Sequence, residues 1–236
     1  MPAYNEAELI RGAIESIPSF VDHIIVVDDA SVDGTVRCAR AIARPIELIE
    51  HATNQGVGAA IASGCMRAFH LGADLTAVMA ADGQMDPADL PALLAPLIAG
   101  EADYVKGNRL DWQAPGEAMP WHRWIGNHLF SSLTRRAIGV SVRDSQCGYA
   151  AMNRRTQQML AWDRLWKRYG YPNDLLSGVT LCGLRARDVP VRPVYGAERS
   201  GIRLRDVILF IPFVIARAWL RRFLQRRELA RSTSPS

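Results

Sequence analysis

The chain has 236 residues, 49% hydrophobic and 22% charged, with 28 basic and 24 acidic side chains and a formal net charge of +4. Those proportions exclude wholesale disorder, a collagen-like fibre and a coiled-coil rod; the length suits one domain with an appendage and a full core. Four cysteines without CxxC spacing argue against a zinc site and a disulfide framework, no secretory signal opens the chain, and no stretch reaches the roughly 18 apolar residues of a spanning helix.

Residues 23–29 (HIIVVDD) form a short β-branched run ending in two aspartates, the pattern of a buried strand. Asp33-Gly34 marks a turn, and a helix is expected to about residue 43. Residues 46–50 read as a second strand, 54–58 as a glycine-bearing loop and 57–71 as a helix of small and apolar residues. Residues 75–80 give a third strand, closed by Asp82-Gly83. Pro87 suits the first turn of a helix running to residue 98, and 103–107 give a fourth strand. Strands alternating with helices indicate βαβ units and a mostly parallel sheet. Ligands in such sheets bind at the carboxyl ends of strands, where Asp28-Asp29, Asp82-Gly83-Gln84 and Asn108-Arg109 all fall. Beyond Arg109 the pattern changes. A loop over 112–120, a long amphipathic helix over 121–138, a segment at 144–153, a helix near 173–182, a strand at 184–189 and a loop at 194–201 follow.

The basic residues are almost all arginine, Lys106 and Lys167 being the two lysines. From Arg203 onward eight arginines face Asp206 and Glu228, so this stretch carries +6 and residues 1–202 carry −2. Such asymmetry points to an anionic partner for the basic stretch. Residues 207–216 (VILFIPFVIA) are apolar with Pro212 inside, and Trp219 and arginine pairs at 221–222 and 226–227 follow. An interfacial helix on an anionic membrane surface suits this pattern; the other reading is a helix docked on the domain with its arginines in water. No nucleic-acid recognition motif accompanies it.

Six motifs in one order carry a family resemblance. The chain opens with Pro2-Ala3-Tyr4-Asn5-Glu6, of the form PxYNE, and residues 28–35 (DDASVDGT) follow DDxSxDGT. Asn54, Gly56, Gly58, Ala60, Gly64 and Ala68 keep the spacing NxGxGxAxxxGxxxA. Residues 81–87 (ADGQMDP) match DxDGQxDP, residues 106–109 (KGNR) resemble GSR, and residues 144–149 (DSQCGY) resemble DxxSGF. Together, from Pro2 to about Arg203, they resemble glycosyltransferase family 2, in the polyprenyl-phosphate branch that includes dolichyl-phosphate mannose synthase. The resemblance implies a GT-A fold, an α/β nucleotide-binding sandwich, over residues 1–202; residues 203–236 read, from their own pattern, as a basic amphipathic helix and disordered tail. It also implies inversion at the anomeric carbon by in-line displacement, with Mg2+ or Mn2+ on the sugar nucleotide. The chemistry explains the residue types. A leaving diphosphate gathers negative charge, which a metal held by carboxylate and amide oxygens offsets and arginine contacts in bidentate fashion. An acceptor phosphate, already anionic, needs positioning more than a strong base.

By the same resemblance Pro2, Tyr4 and Glu6 line the nucleotide pocket, Asp28 takes the base, Asp29 takes the ribose or metal side, and Asn54 and Gly56 shape the adjoining loop. Asp82 and Gln84 are the expected metal ligands; Asp86 reads equally as a helix cap. Arg109 and Arg154 match positions that contact the diphosphate or the acceptor phosphate. Asp144 matches the base or orienter of the acceptor, and Asp174 an acidic helix start facing the cleft or an N-cap. Arg199, Ser200 and Arg203 fall on a basic loop that closes over the diphosphate. The five histidines read as packing or surface residues. Two departures stand out: Ala80 replaces the first metal-site aspartate, and the apolar strand expected ahead of PxYNE is missing before Met1-Pro2. The implied activity is transfer of a hexose from a UDP- or GDP-sugar to a polyprenyl phosphate, by a protein peripheral to the cytoplasmic face of the membrane. The alternatives are a glycan or other lipid acceptor, or an inactive sugar-nucleotide-binding protein.

Overall fold

A computed structural model describes residues 1–112, 121–194 and 204–232, with the side chains of 1–112, 124–194 and 210–225. Its strands form two sheets. The first is parallel, in the order β1 (Pro2–Ala3), β2 (Ile25–Asp28), β3 (Glu47–Glu50). The second runs β4 (Leu75–Val78), β6 (Ala150–Asn153), β5 (Tyr104–Asn108), β7 (Ala186–Pro190). Here β5 and β7 are parallel, and β6 runs antiparallel to both its neighbours. The helices are α1 (Ile10–Glu15), α2 (Thr35–Arg40), α3 (Val57–His70), α4 (Leu90–Ile98), α5 (Trp121–Ile138), α6 (Arg154–Met159), α7 (Tyr171–Leu181) and α8 (Leu204–Ser232).

Period-2 alternation sets both faces. On β2, Ile24 and Val26 pack toward α1 and α2, while Ile25 and Val27 pack toward α3. On β5, Tyr104 joins the large cluster with α3 and α7, and Val105 joins the cluster of α4. Val26 and Val27 are fully buried, each contributing about 1.5–3 kcal/mol relative to exposure. The α/β architecture and the expected strands and helices are therefore present, with β6, α1 and α6 as additions. Pro2 and Ala3 of the opening motif pair with Val27 and Asp28, and the Val27 amide donates to the Met1 carbonyl.

The last helix packs onto the body. Its residues Ile211, Val214, Ile215 and Ala218 are buried at helical spacing. Arg222 donates to the Ala137 carbonyl of α5, and Gln225 to the Leu181 carbonyl of α7. Among the described residues no helix is long and apolar enough to cross a membrane.

Candidate active site at the carboxyl ends of the strands

The loops after β1, β2, β4 and β5 share one end of the molecule with the turn that leads into β6. The opening motif and the aspartate motif are laced together. The Asn5 amide donates to Ser31 Oγ, the Val32 amide to Asn5 Oδ1, the Glu6 amide to Thr35 Oγ1 and the Ala7 amide to Asp33 Oδ2. Asn5 and Ala30 adopt positive φ in these loops, a strained conformation that the lacing holds in place. Most polar residues of both motifs are therefore structural, and they leave Tyr4, Glu6 and Asp28 at the rim. Tyr4 is half exposed, whereas Pro2 sits in the β1–β2 ladder.

The adjacent aspartates have different fates. Asp29 is held from three sides: Oδ1 accepts from the Gln55 amide at 2.9 Å and lies 2.7 Å from His51 Nδ1, and Oδ2 accepts from the Gly56 amide at 2.7 Å. His51 in turn meets Ser63 Oγ through Nε2 at 2.9 Å, and Asn54 donates to the Asp29 carbonyl. Asp29 thus anchors the 54–56 loop. His51 is the residue that sequence reading missed. Its signal was its position just past the carboxyl end of β3. Asp28 is also buried, at 3% exposure. Its Oδ2 accepts from the Ser31 amide, but Oδ1 has no partner. A buried carboxylate oxygen left unpartnered is costly, and a ligand donor is the simplest group to satisfy it.

Gly56 and Gly58 serve close packing of backbone. A Cβ on Gly56, at φ +100°, would come within 2.5 Å of the Lys167 carbonyl, and one on Gly58 within 2.1 Å of the Trp166 carbonyl. The Gly58 amide donates to the Lys167 carbonyl. Gly56 is accordingly occupied by protein on both sides.

On the opposite bank, Asp82 Oδ1 accepts from the Gln84 amide at 3.0 Å in a tight turn, with Gly83 at positive φ. Burial pushes the Glu6 carboxyl up to about 7, and the charges of Asp82 and Asp33 add to it. Glu6 therefore shares the field of Asp82. Ala80 supplies no carboxylate, and the described residues contain no group of three His, Cys, Asp or Glu arranged to hold a metal. The hard oxygens of Asp82 and Gln84, with Glu6 nearby, still fit a divalent cation of the Mg2+ class, which binds through one or two carboxylates and completes its shell with substrate phosphates and water. Asp86 acts as a helix cap, accepting from the Ala88 amide.

Arg109, directly after β5, forms a two-pronged pair with Asp144: Nε to Oδ2 at 2.8 Å and Nη2 to Oδ1 at 3.2 Å. Asp144 is fully buried and also accepts from the amides of Arg109, Gln146 and Cys147. Burial pushes its carboxyl up, but Arg109, the Lys106 charge and the backbone donors outweigh this and hold it below the usual carboxylate range. Such a group is a poor proton acceptor; it orients the guanidinium. Lys106, buried behind it, donates to the Cys147 carbonyl, and burial lowers its ammonium to about 8.

Arg154 lies elsewhere, and the Asp174 carboxylate is taken up by contacts to α8. Arg154 follows β6, whose antiparallel course sets Asn153 against Leu75 at the start of β4. It donates to the carbonyls of Phe69 and Ala73 and stacks on Phe69, closing α3 at the far end of the sheet. Asp174 is buried, accepts from the Trp166 amide and pairs with Arg221 at 3.1 Å and Arg217 at 3.6 Å; it ties α7 to α8. Arg199, Ser200 and Arg203 lie outside the described residues.

Residues 1–158 match the model of glycosyl transferase family 2. The chain belongs to that family. This glycosyltransferase is similar to a UDP-N-acetylglucosamine–dolichyl-phosphate N-acetylglucosaminyltransferase from Methanococcus voltae, with 29% identity over 225 residues, 89% of each chain. A polyprenol monophosphomannose synthase from Mycolicibacterium smegmatis is 30% identical over 223 residues, 88% of this chain and 82% of that one. In fold the glycosyltransferase resembles the glucosyl-3-phosphoglycerate synthase of Mycobacterium tuberculosis crystallised with Mn2+, UDP and phosphoglyceric acid. The TM-score is 0.67 at 23% identity, over 94% of this chain and 76% of that one.

Proposed function

We propose that this glycosyltransferase inverts a hexosyl centre, moving the sugar from a UDP- or GDP-linked donor to a polyprenyl phosphate at the membrane face. The observation that carries the reading is the buried, unpartnered Asp28 Oδ1, on the same rim as the Asp82–Gln84 turn and the Arg109–Asp144 fork. Asp28 accepts from a donor edge of the nucleoside. Arg109 faces phosphate oxygens with its guanidinium fixed in plane by Asp144. Asp82 and Gln84 would hold Mg2+ or Mn2+, which would supply positive charge beside the diphosphate. In the transfer, an acceptor phosphate oxygen bonds to the anomeric carbon, and the bond from that carbon to the nucleoside diphosphate breaks, leaving its electron pair on the diphosphate. The acceptor arrives ionised, so no strong base is needed. The acceptor class rests on the names of the relatives.

The anionic membrane surface belongs to the same reading. Beyond its buried stripe, α8 exposes Phe213, Trp219, Leu220 and Phe223, and neighbouring α5 exposes Trp124, Ile125 and Leu129. Exposed apolar side chains on two packed helices, with arginines on α8, suit the headgroup boundary. The test is nucleoside diphosphate release from UDP- and GDP-sugars with Mg2+ or Mn2+, with and without polyprenyl phosphate. Release that requires the lipid phosphate and vanishes in Asp82→Ala supports the reading; lipid-independent release at the same rate refutes the acceptor.

A further inference from the structure

Of the two lysines, Lys167 is exposed and Lys106 is 1% exposed. Taking an ammonium out of water is expensive, and an apolar side chain of similar length fills such a place at less cost. Lys106 lies in the middle of β5, opposite Ala150 of β6 and Asp188 of β7, and by strand alternation shares a face with Tyr104 and Asn108. Its Nζ donates to the Cys147 carbonyl. Cys147 is also the residue whose amide donates to Asp144 Oδ1 at 3.1 Å. The ammonium therefore holds the 144–149 turn from behind, at a residue that grips Asp144. Strand and turn fit closely. A Cβ on Gly107 would come within 2.8 Å of Val191 and 3.2 Å of Cys147 Sγ, and the Gly107 amide donates to the Tyr149 carbonyl at 2.8 Å.

Charge balance gives the lysine a role beyond packing. The two-pronged pair of Arg109 and Asp144 is neutral by itself, and a neutral pair attracts an incoming phosphate weakly. After Arg109, the Lys106 charge also favours the ionised Asp144 carboxylate. Two cations against one carboxylate leave one positive charge on the assembly. Asp144 and Lys106 are buried, and Arg109, with its side chain 22% exposed, is the member that reaches the cleft. The further groups around Lys106 do not cancel this charge. Asp188 accepts from the Arg143 amide at 2.7 Å and Asn108 Nδ2 at 3.1 Å, with the Arg143 charge beside it. Ser131 of α5 meets the turn at the Ser145 amide, and Tyr171 of α7 closes on Gly148. Burial pushes the Cys147 thiol and the Tyr104 and Tyr171 hydroxyls up, so all three stay neutral.

We infer that Lys106 is a positioning residue for phosphate recognition, acting through Asp144: its buried ammonium holds the 144–149 turn and leaves the Arg109 guanidinium with an uncancelled positive charge toward phosphate oxygens. The inference rests on the phosphate-facing role of Arg109 proposed above and not on the identity of the acceptor. Burial lowers the Lys106 ammonium to about 8, so its help fades as pH rises through that value.

The experiment measures UDP and GDP binding with Mg2+ by calorimetry, in the full chain and in Lys106→Met, Arg109→Gln and the double variant. Lys106→Met is expected to weaken binding of the preferred nucleotide about tenfold, while Tm stays level or rises. In the Arg109→Gln background the same change is expected to alter binding by less than about twofold. The parent's affinity is expected to fall between about pH 7 and 9 more than that of either single variant; Glu6, raised to about 7, is common to all forms and drops out of the difference. Retained affinity in Lys106→Met, an equal loss in both backgrounds, or one pH profile shared by the parent and Arg109→Gln overturns the inference. The last comparison needs no Lys106 variant and decides the matter should Lys106→Met fail to fold. A parent chain that binds neither nucleotide overturns the inference together with the role of Arg109. A parent that binds with the expected coupling but transfers nothing to polyprenyl phosphate supports the inference and refutes the acceptor alone.

Discussion

Two equally buried acids at opposite ends of the sheets, Asp103 and Asp28, sit under different conditions. At the amino end, Asp103 accepts from the amide and Nε of Arg185 and from Asn153 Nδ2, and its carbonyl takes the Thr156 hydroxyl. Burial pushes its carboxyl up, but these donors outweigh it and bring the group down to about 2. At the carboxyl end, Asp28 is as deeply buried yet keeps an oxygen without a donor, and Glu6 is pushed up to about 7. Asp103 is hydrogen-bonded on both carboxylate oxygens within the protein, whereas Asp28 keeps one oxygen in want of a donor. Stability is built at the first, and readiness for a ligand at the second.

The same substitution at both ends tests this contrast. Asp28→Asn is expected to weaken UDP or GDP binding by about 10- to 100-fold, read by calorimetry, while Tm stays level or rises because an unpaired buried charge is gone. A lower Tm with retained affinity would break the comparison. Asp103→Asn is expected to cost about 2 kcal/mol in urea unfolding and to leave nucleotide affinity alone. Arg154→Ala comes next, at about 1 kcal/mol from the lost helix-end bonds and the Phe69 stack, with turnover unchanged; a hundredfold loss of turnover would return Arg154 to the site.

The smallest effect lies in pH. Glu6 binds its proton more tightly folded than unfolded, so its ionisation costs stability. That cost is absent below about pH 4 and complete above about 7. Asp103 has the opposite sign: its contribution is present above about pH 4 and is lost as pH falls through 2. Glu6→Gln is therefore expected to stabilise the protein at pH 8 and not at pH 4, measured by urea midpoints at both. Equal midpoint shifts would show that Glu6 does not sense its neighbours.

Much of the fold was legible because its strands carry strong period-2 or β-branched signals, as in residues 25–28, and α3 a run of small residues. β6 was not: Ala-Ala-Met-Asn has no strand signature, and small side chains are what a strand between two neighbours under helices accommodates. That one omission misled the site reading too. Because β6 runs backward, Arg154 follows its carboxyl end at the wrong end of the sheet. Asp28 and Asp29 were both legible as site residues, but their division of labour was not. It depends on the return of residues 51–56, a contact between segments more than 20 residues apart. Glycines 56 and 58 were legible as a glycine-bearing loop, but their making room for the chain's own residues 166–167 was not.

The clamp at Asp174 has a mechanical consequence. Two arginines of α8 converge on one carboxylate that is 2% exposed, so peeling the helix away strands a bare charge among apolar side chains, at a cost of several kcal/mol. The helix is thus a keel and not a tether. Whatever flat partner meets Phe213 and Trp219 meets them at an angle fixed by α7, and the tilt of the whole body over that partner, strand ends included, is inherited from two ion pairs and the buried stripe of α8.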